Sequence, residues 1–191
     1  LKEKERYDAA AAQFAAGLER SLQIGDAGKI ALGRLEFGNL ALIRGDYAES
    51  ERQLGESLRG FESAGQTWGI VLALDLLGYL SCHVPDVELA RTRFRRALQT
   101  ALKGKLYPFA TNVAAGIALW LVRTGHPEQA VELLSFTRHH PATERHTLNH
   151  RVAPLLAELE RRLPPASFAV AVERGKELDW NALTDVLDQP A

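Results

Sequence analysis

The chain has 191 residues, 46% hydrophobic and 25% charged, with a formal net charge of −1. A balance so close to zero gives no bulk field toward nucleic acid or acidic membranes, and no run of about 18 apolar residues is present to span a bilayer. One cysteine, Cys82, leaves no partner for an internal disulfide and fits a reducing, cytoplasmic setting. The chain opens on Leu1, lacks methionine and has no signal peptide at its start, so the expectation is an internal or C-terminal piece of a longer protein.

Apolar residues fall at helical spacing almost throughout, which predicts helices at 2–23, 27–44, 47–63, 67–83, 87–103, 107–124, 127–138, 142–163, 165–175 and 180–188. The first reads as the second half of a hairpin whose first half lies upstream, and an exposed apolar face there would let the chain form a homodimer. Gly25, Gly65 and Gly104 lie between helices, where glycine closes a helix end in the left-handed conformation at little cost. Asp46 before Tyr47, with Glu49 three residues on, spells a capping box. Asp86 caps the next such helix, and Pro127 suits a first helical turn.

These elements keep one phase. Gly38 recurs as Gly78 and Ala118, Gly45 as Pro85 and Gly125, and Asp46 as Asp86 and His126, each step being 40 residues. The register also aligns Tyr7 with Tyr47, Val87 and Pro127, and Ala10 with Ser50, Ala90 and Ala130. Phe14 aligns with Leu54, Phe94 and Leu134. A fixed phase over several copies predicts an all-α solenoid of antiparallel helical hairpins. A glycine inside a helix costs about 1 kcal/mol against alanine. Gly38 and Gly78 are therefore expected where two helix backbones come close, with Ala90 and Ala130 as small facing contacts and Phe14, Leu54, Phe94 and Leu134 as plugs.

Leu77-Gly78 followed by Ala90, Phe94 and Ala97, with Gly38, Gly45-Asp46-Tyr47 and Leu54 one unit earlier, resembles the tetratricopeptide repeat. That family repeats every 34 or so residues. Its signature tryptophan would fall at Leu74 here, and its closing proline is missing. The longer unit resembles repeats of large ATP-dependent (STAND-type) transcription regulators of the LuxR and antibiotic-regulatory type. The likeness is closest at Gln66-Thr67-Trp68-Gly69-Ile70, at Gly45-Asp46-Tyr47-Ala48-Glu49, and over Phe168 to Gly175, Lys176 to Leu178 and Asn181 to Leu187. The resemblance implies a right-handed superhelix with repeats over 1–140 and a C-terminal helical cap over 141–191, all in one continuous domain.

The resemblance also implies a non-enzymatic module for protein–protein interaction or ligand sensing in a cytoplasmic signalling or transcription-regulatory protein. Its occupant would be a peptide segment, a domain of its own parent chain or a small-molecule inducer, held on the concave face. Carried onto this sequence, the family's groove positions are Leu35, Asn39, Leu42 and Ile43, then Asp75, Tyr79 and His83, then Asn112, Ala115, Leu119 and Arg123. Asn39 matches a position that some relatives use on a peptide carboxylate, but the basic partners of that clamp are missing nearby.

Other constellations carry less. His146 and His150 share a helix face near Glu144, His139 and His140, a spacing zinc can use, yet no second cysteine and no HExxH motif accompany them, so no metal is expected. Cys82 and His83 are chain neighbours on a helix and point apart, so a buried cysteine is expected, not a nucleophile–base pair. Arg91, Arg93, Arg95, Arg96, Lys103 and Lys105 form an acid-free stretch over 91–105. It offers an alternative, an adaptor for nucleic acid or an acidic partner. The six charges spread around the helix and form no single stripe, so nucleic acid is not the expected partner. No phosphate loop or nucleophile elbow is present, and no catalytic residue or cofactor is expected.

Overall fold

The computed structural model describes residue 13 and residues 15–188. Tyr7, Ala10, Phe14 and most of the helix expected at 2–23 lie outside the described residues, and with them the dimerising face; residues 15–24 are helical. The elements that follow are α1 (Ala27–Ile43), α2 (Tyr47–Ser63), α3 (Thr67–Ser81), α4 (Val87–Lys103), α5 (Tyr107–Arg123) and α6 (Pro127–His139). A short α7 (Arg145–Thr147) runs into a π-type turn (Leu148–Val152) and α8 (Ala153–Arg162), then come α9 (Pro165–Lys176) and α10 (Trp180–Asp188). Among the described residues every regular element is helical, as expected, and no helix is long and apolar enough to cross a membrane.

The 40-residue phase is visible in the helix starts: Ala27, Thr67 and Tyr107 for one set, Tyr47, Val87 and Pro127 for the other. Links of only three to five residues force each helix to pack back on its predecessor. Ser57 Oγ donates to the Ala31 carbonyl at 2.7 Å, and Ser50 Oγ donates to Gly38 at 2.9 Å, so α2 descends as α1 ascends. Within this stack α3 touches both α1 and α5.

The small-and-large register works differently in detail from the expectation. A Cβ on Gly38 would sit 2.6 Å from Leu54, and one on Gly78 2.6 Å from the ring of Phe94. The plug side chain itself fills the space above each glycine; at Gly38 the Leu54 backbone N also comes within 3.1 Å of that position, the backbone approach expected there, whereas at Gly78 the three nearest atoms all belong to the Phe94 ring. Gly69 likewise receives the ring of Phe61. The hydrophobic cluster from Val71 to Leu187 joins the hairpins to the cap, so repeats and cap share a core. A second cluster around Ala31, Leu54 and Phe61 meets it through Leu58 and Ile70.

Three local expectations need correction. Gly104 stays right-handed at φ −81, and Lys105 takes the left-handed place (φ 54) that Gly65 and Gly25 hold one and two units earlier. Asp46 caps α2 through Glu49 N, but the Glu49 carboxylate turns to Arg52 and Gln53, so the reciprocal half of the capping box is not made. The single helix expected at 142–163 starts at Arg145 and is broken by the π turn. Pro154 has no N–H for the carbonyl four residues back, and its ring would strike that carbonyl. A wider turn ahead of it relieves both.

The cap departs from the hairpin pattern. α9 lies along α6, where Ser135 Oγ donates to the Val172 carbonyl at 2.7 Å. Gly175 sits so close that a Cβ would stand 2.2 Å from the Glu132 carbonyl oxygen. α10 returns to α4, with Leu187 buried and Asp188 on Arg95 at 2.9 Å, and Trp180 packs on Phe136 and His140.

Two glycine substitutions separate close approach from helix propensity. Gly175→Ala is expected to lower stability by about 2 kcal/mol or more, because backbone must move to admit the methyl. Gly55→Ala, whose Cβ meets only Arg59 Nη1 at 3.9 Å, is expected to gain about 0.5–1 kcal/mol from helix propensity. Urea denaturation of the two variants checks both signs.

Candidate functional site

A groove of about 690 Å³ runs across α1, α3 and α5 and is bounded by the cap. From α1 come Leu35, Glu36, Asn39, Leu42 and Ile43, and from α3 Leu72, Asp75, Leu76, Tyr79 and, just past its end, His83. α5 contributes Pro108, Phe109 and Asn112. The structure thus brings Leu35, Asn39, Leu42, Ile43, Asp75, Tyr79, His83 and Asn112 together in one groove.

Ala115, Leu119 and Arg123 are not among them. Ala115 is buried in the core and Leu119 packs against it, while Arg123 is exposed at the end of α5. The reason is where the cap enters. Thr147 and Arg151 settle on Asn112, so the groove uses only the N-terminal part of α5.

Asp75 is the floor. It is 1% exposed, and a bare carboxylate there would be strongly disfavoured. Arg151 Nη1 donates to Oδ1 at 3.0 Å and stands 2.8 Å from Oδ2 as an ion pair, and Asn112 Nδ2 donates a second bond, to Oδ2, at 2.9 Å. Thr147 Oγ1 donates to Asn112 Oδ1 at 3.2 Å and orients that amide. The Arg151 guanidinium lies 5.2 Å above the Tyr79 ring, within cation–π range. Burial pushes the Asp75 carboxyl above the usual carboxylate range, and the charge and hydrogen bond of Arg151 pull it back only in part.

At the mouth, His83 is sandwiched by Tyr47 and Tyr79, with centroids at 5.9 and 5.2 Å. Burial first, then the charge of Arg123, hold its imidazole below the usual range, which favours the neutral ring. The cap side is lined by Glu144, His146, Thr147, His150 and Arg151. His146 and His150 are 4.6 Å apart by centroid and face the groove; among the described residues they join no cluster of three metal-ligating side chains. Cys82 is buried, and its thiol is pushed up to about 12, chiefly by desolvation, so it is no thiolate at neutral pH.

The basic stretch is largely neutralised by carboxylates, most of them remote in sequence. Arg93 pairs with Glu51 and Arg96 with Glu62, both on α2, while Arg95 pairs with Asp188 and Arg91 with Glu88. These arginines bind the outer helices to one another and to α10.

Arg151, Thr147 and Glu36 were not legible as groove residues. The one available signal was Asp75 itself, an acid inside the apolar run Leu72–Leu77, which demands a cation from elsewhere without saying which.

Arg151→Met strands Asp75 and is expected to lower stability by about 3–5 kcal/mol at pH 8, with Asp75→Asn recovering part of the loss in the double variant. The sign of the pH dependence follows from the raised carboxyl. The folded chain keeps the Asp75 proton in a window where the unfolded chain has released it. Removing Arg151 widens that window upward, and stability falls as pH rises through it. The loss measured by denaturation is therefore expected to be smaller at pH 4.5 than at pH 8.

Comparison with protein-family models, with curated proteins and with solved structures finds no match to this chain. The functional reading rests on the groove's own geometry.

Proposed function

We propose that this chain is a recognition module without catalytic chemistry, which binds a peptide segment or an inducer in the groove across α1, α3 and α5. The observation that carries the reading is the groove itself. Its floor is a buried, hydrogen-bonded ion pair, and its walls mix leucines and aromatic rings with polar side chains such as Asn39, Asn112 and His83, a combination that suits a peptide. In this reading the hairpins wind into a right-handed superhelix of the tetratricopeptide type, and the parent is a cytoplasmic signalling or transcription-regulatory protein. The stack of α1, α3 and α5 and the exact 40-residue spacing of helix starts support that winding.

The mechanism would be a population shift. An occupant touching α1, α5 and the cap favours one relative placement of the three and so biases whatever the module is joined to. The alternative of a nucleic-acid or acidic-partner surface on 91–105 loses its main support, because Arg91, Arg93, Arg95 and Arg96 all have carboxylates beside them.

Ile43 is 54% exposed at the groove mouth and outside both core clusters, so it can be changed without touching the fold. Selection of a random dodecapeptide phage library against the wild-type chain is expected to enrich sequences whose binding Ile43→Asp lowers about tenfold, with an unchanged melting profile. No enrichment, or binders indifferent to Ile43→Asp, would overturn the groove reading.

A further inference from the structure

The charges that line the groove are unequal in their freedom. Asp75 and Arg151 cancel in the floor. That leaves Glu36 on α1 and Glu144 on the cap as the groove's uncompensated charges, with His83 held toward its neutral form. Glu144 is exposed, where water screens it. Glu36 differs: it is half-buried and makes no hydrogen bond or ion pair with any described residue, and the leucines Leu35, Leu72 and Leu76 line the same groove.

A half-buried carboxylate with no counter-charge among the described residues is a poor arrangement. Burial alone pushes the Glu36 carboxyl above its usual range, with no opposing contribution from a neighbouring cation. Asn39 follows one helical turn later on the same face, also without a partner among the described residues, so an acceptor and an amide stand side by side. The 40-residue register sharpens the point. The counterparts of Glu36 are Leu76 and Gly116, so the acid is particular to the first hairpin and is no feature of the repeat.

The length of the groove selects the kind of molecule. Neighbouring packed helices stand about 8–10 Å apart, so crossing from α1 over α3 to α5 takes about 16–20 Å. That is the reach of five or six extended residues. Resting on the groove reading above, we propose that the occupant is a peptide with a lysine or arginine among apolar residues, its cation accepted by Glu36. Asn39 hydrogen-bonds the peptide backbone beside that cation, and the apolar residues lie on Leu72, Leu76 and Phe109. The interaction is new to the pair, because Glu36 surrenders no internal contact to make it.

The test uses capped heptapeptide pools with alanine, leucine and phenylalanine randomised around a central lysine, norleucine or glutamate, titrated calorimetrically into the wild-type chain and Glu36→Gln. The lysine pool is expected to bind about ten- to a hundredfold tighter than the norleucine pool, the range of a charge-assisted hydrogen bond. Glu36→Gln is expected to erase that difference. Equal binding of the lysine and norleucine pools, tighter binding of the glutamate pool, or a lysine preference that survives Glu36→Gln overturns the inference and leaves the groove reading standing. If no pool binds the wild-type chain at millimolar concentration, both fall together.

Discussion

The ring of Phe94 holds the centre of this structure in place. It is fully buried on α4, and it seats against Gly78 of α3 and Gly116 of α5, where added Cβ atoms would lie 2.6 and 2.5 Å away. One side chain therefore sets the approach of three helices. Protein interiors are packed to near-crystalline density, so a ring held on two sides by bare backbone leaves little freedom for sliding. Gly116 makes room twice, since its missing Cβ would also crowd Asp75 Oδ1 at 3.1 Å. The packing constraint and the polar floor of the groove thus meet at the same glycine.

From that floor the chemistry of the groove follows. A buried carboxylate is tolerated only when hydrogen-bonded and paired, and the cation comes from Arg151, which is 76 residues away along the chain. The π turn ahead of Pro154 shapes the segment that delivers it. Placing the pair inside also leaves the groove without a strong central charge. In the proposed reading, a partner would meet leucines, aromatic rings and the side chains of α1, with selectivity left to a polar group at the edge.

The outer wall uses charge in another way. Arg93 and Arg96 reach from α4 to acids on α2, and Arg95 reaches to the end of α10. Exposed ion pairs of this kind add little stability one at a time, about 0–1 kcal/mol each. Their effect is to satisfy the arginines among themselves and to align successive hairpins, while the apolar core supplies the stability. The cap completes the array by laying α9 on α6, at a contact so close that only glycine fits at position 175. The terminal glycine noted in the sequence after Phe168 has its physical cause there.

Because a repeat must bury the same face at the same spacing in every copy, the helices, their phase and the positions of the glycines and plugs were legible in the sequence, though not that each plug seats on its glycine. Gly38 with Leu54 and Gly78 with Phe94 are local consequences of that requirement, as are the Asp46 and Asp86 caps. The α1 and α3 groove positions came instead from the resemblance to the tetratricopeptide repeat, carried over residue by residue. What the tertiary structure alone decided lies where the repeat ends. Nothing in the spacing of 141–191 told that Thr147 and Arg151 would enter the groove, that Leu119 would be absorbed by the core, or that Arg123 would be left outside. Nor did it show the acids of α2 meeting the arginines of α4. Periodicity records which face of a helix is buried; which distant charge answers a buried carboxylate is settled only when the elements pack.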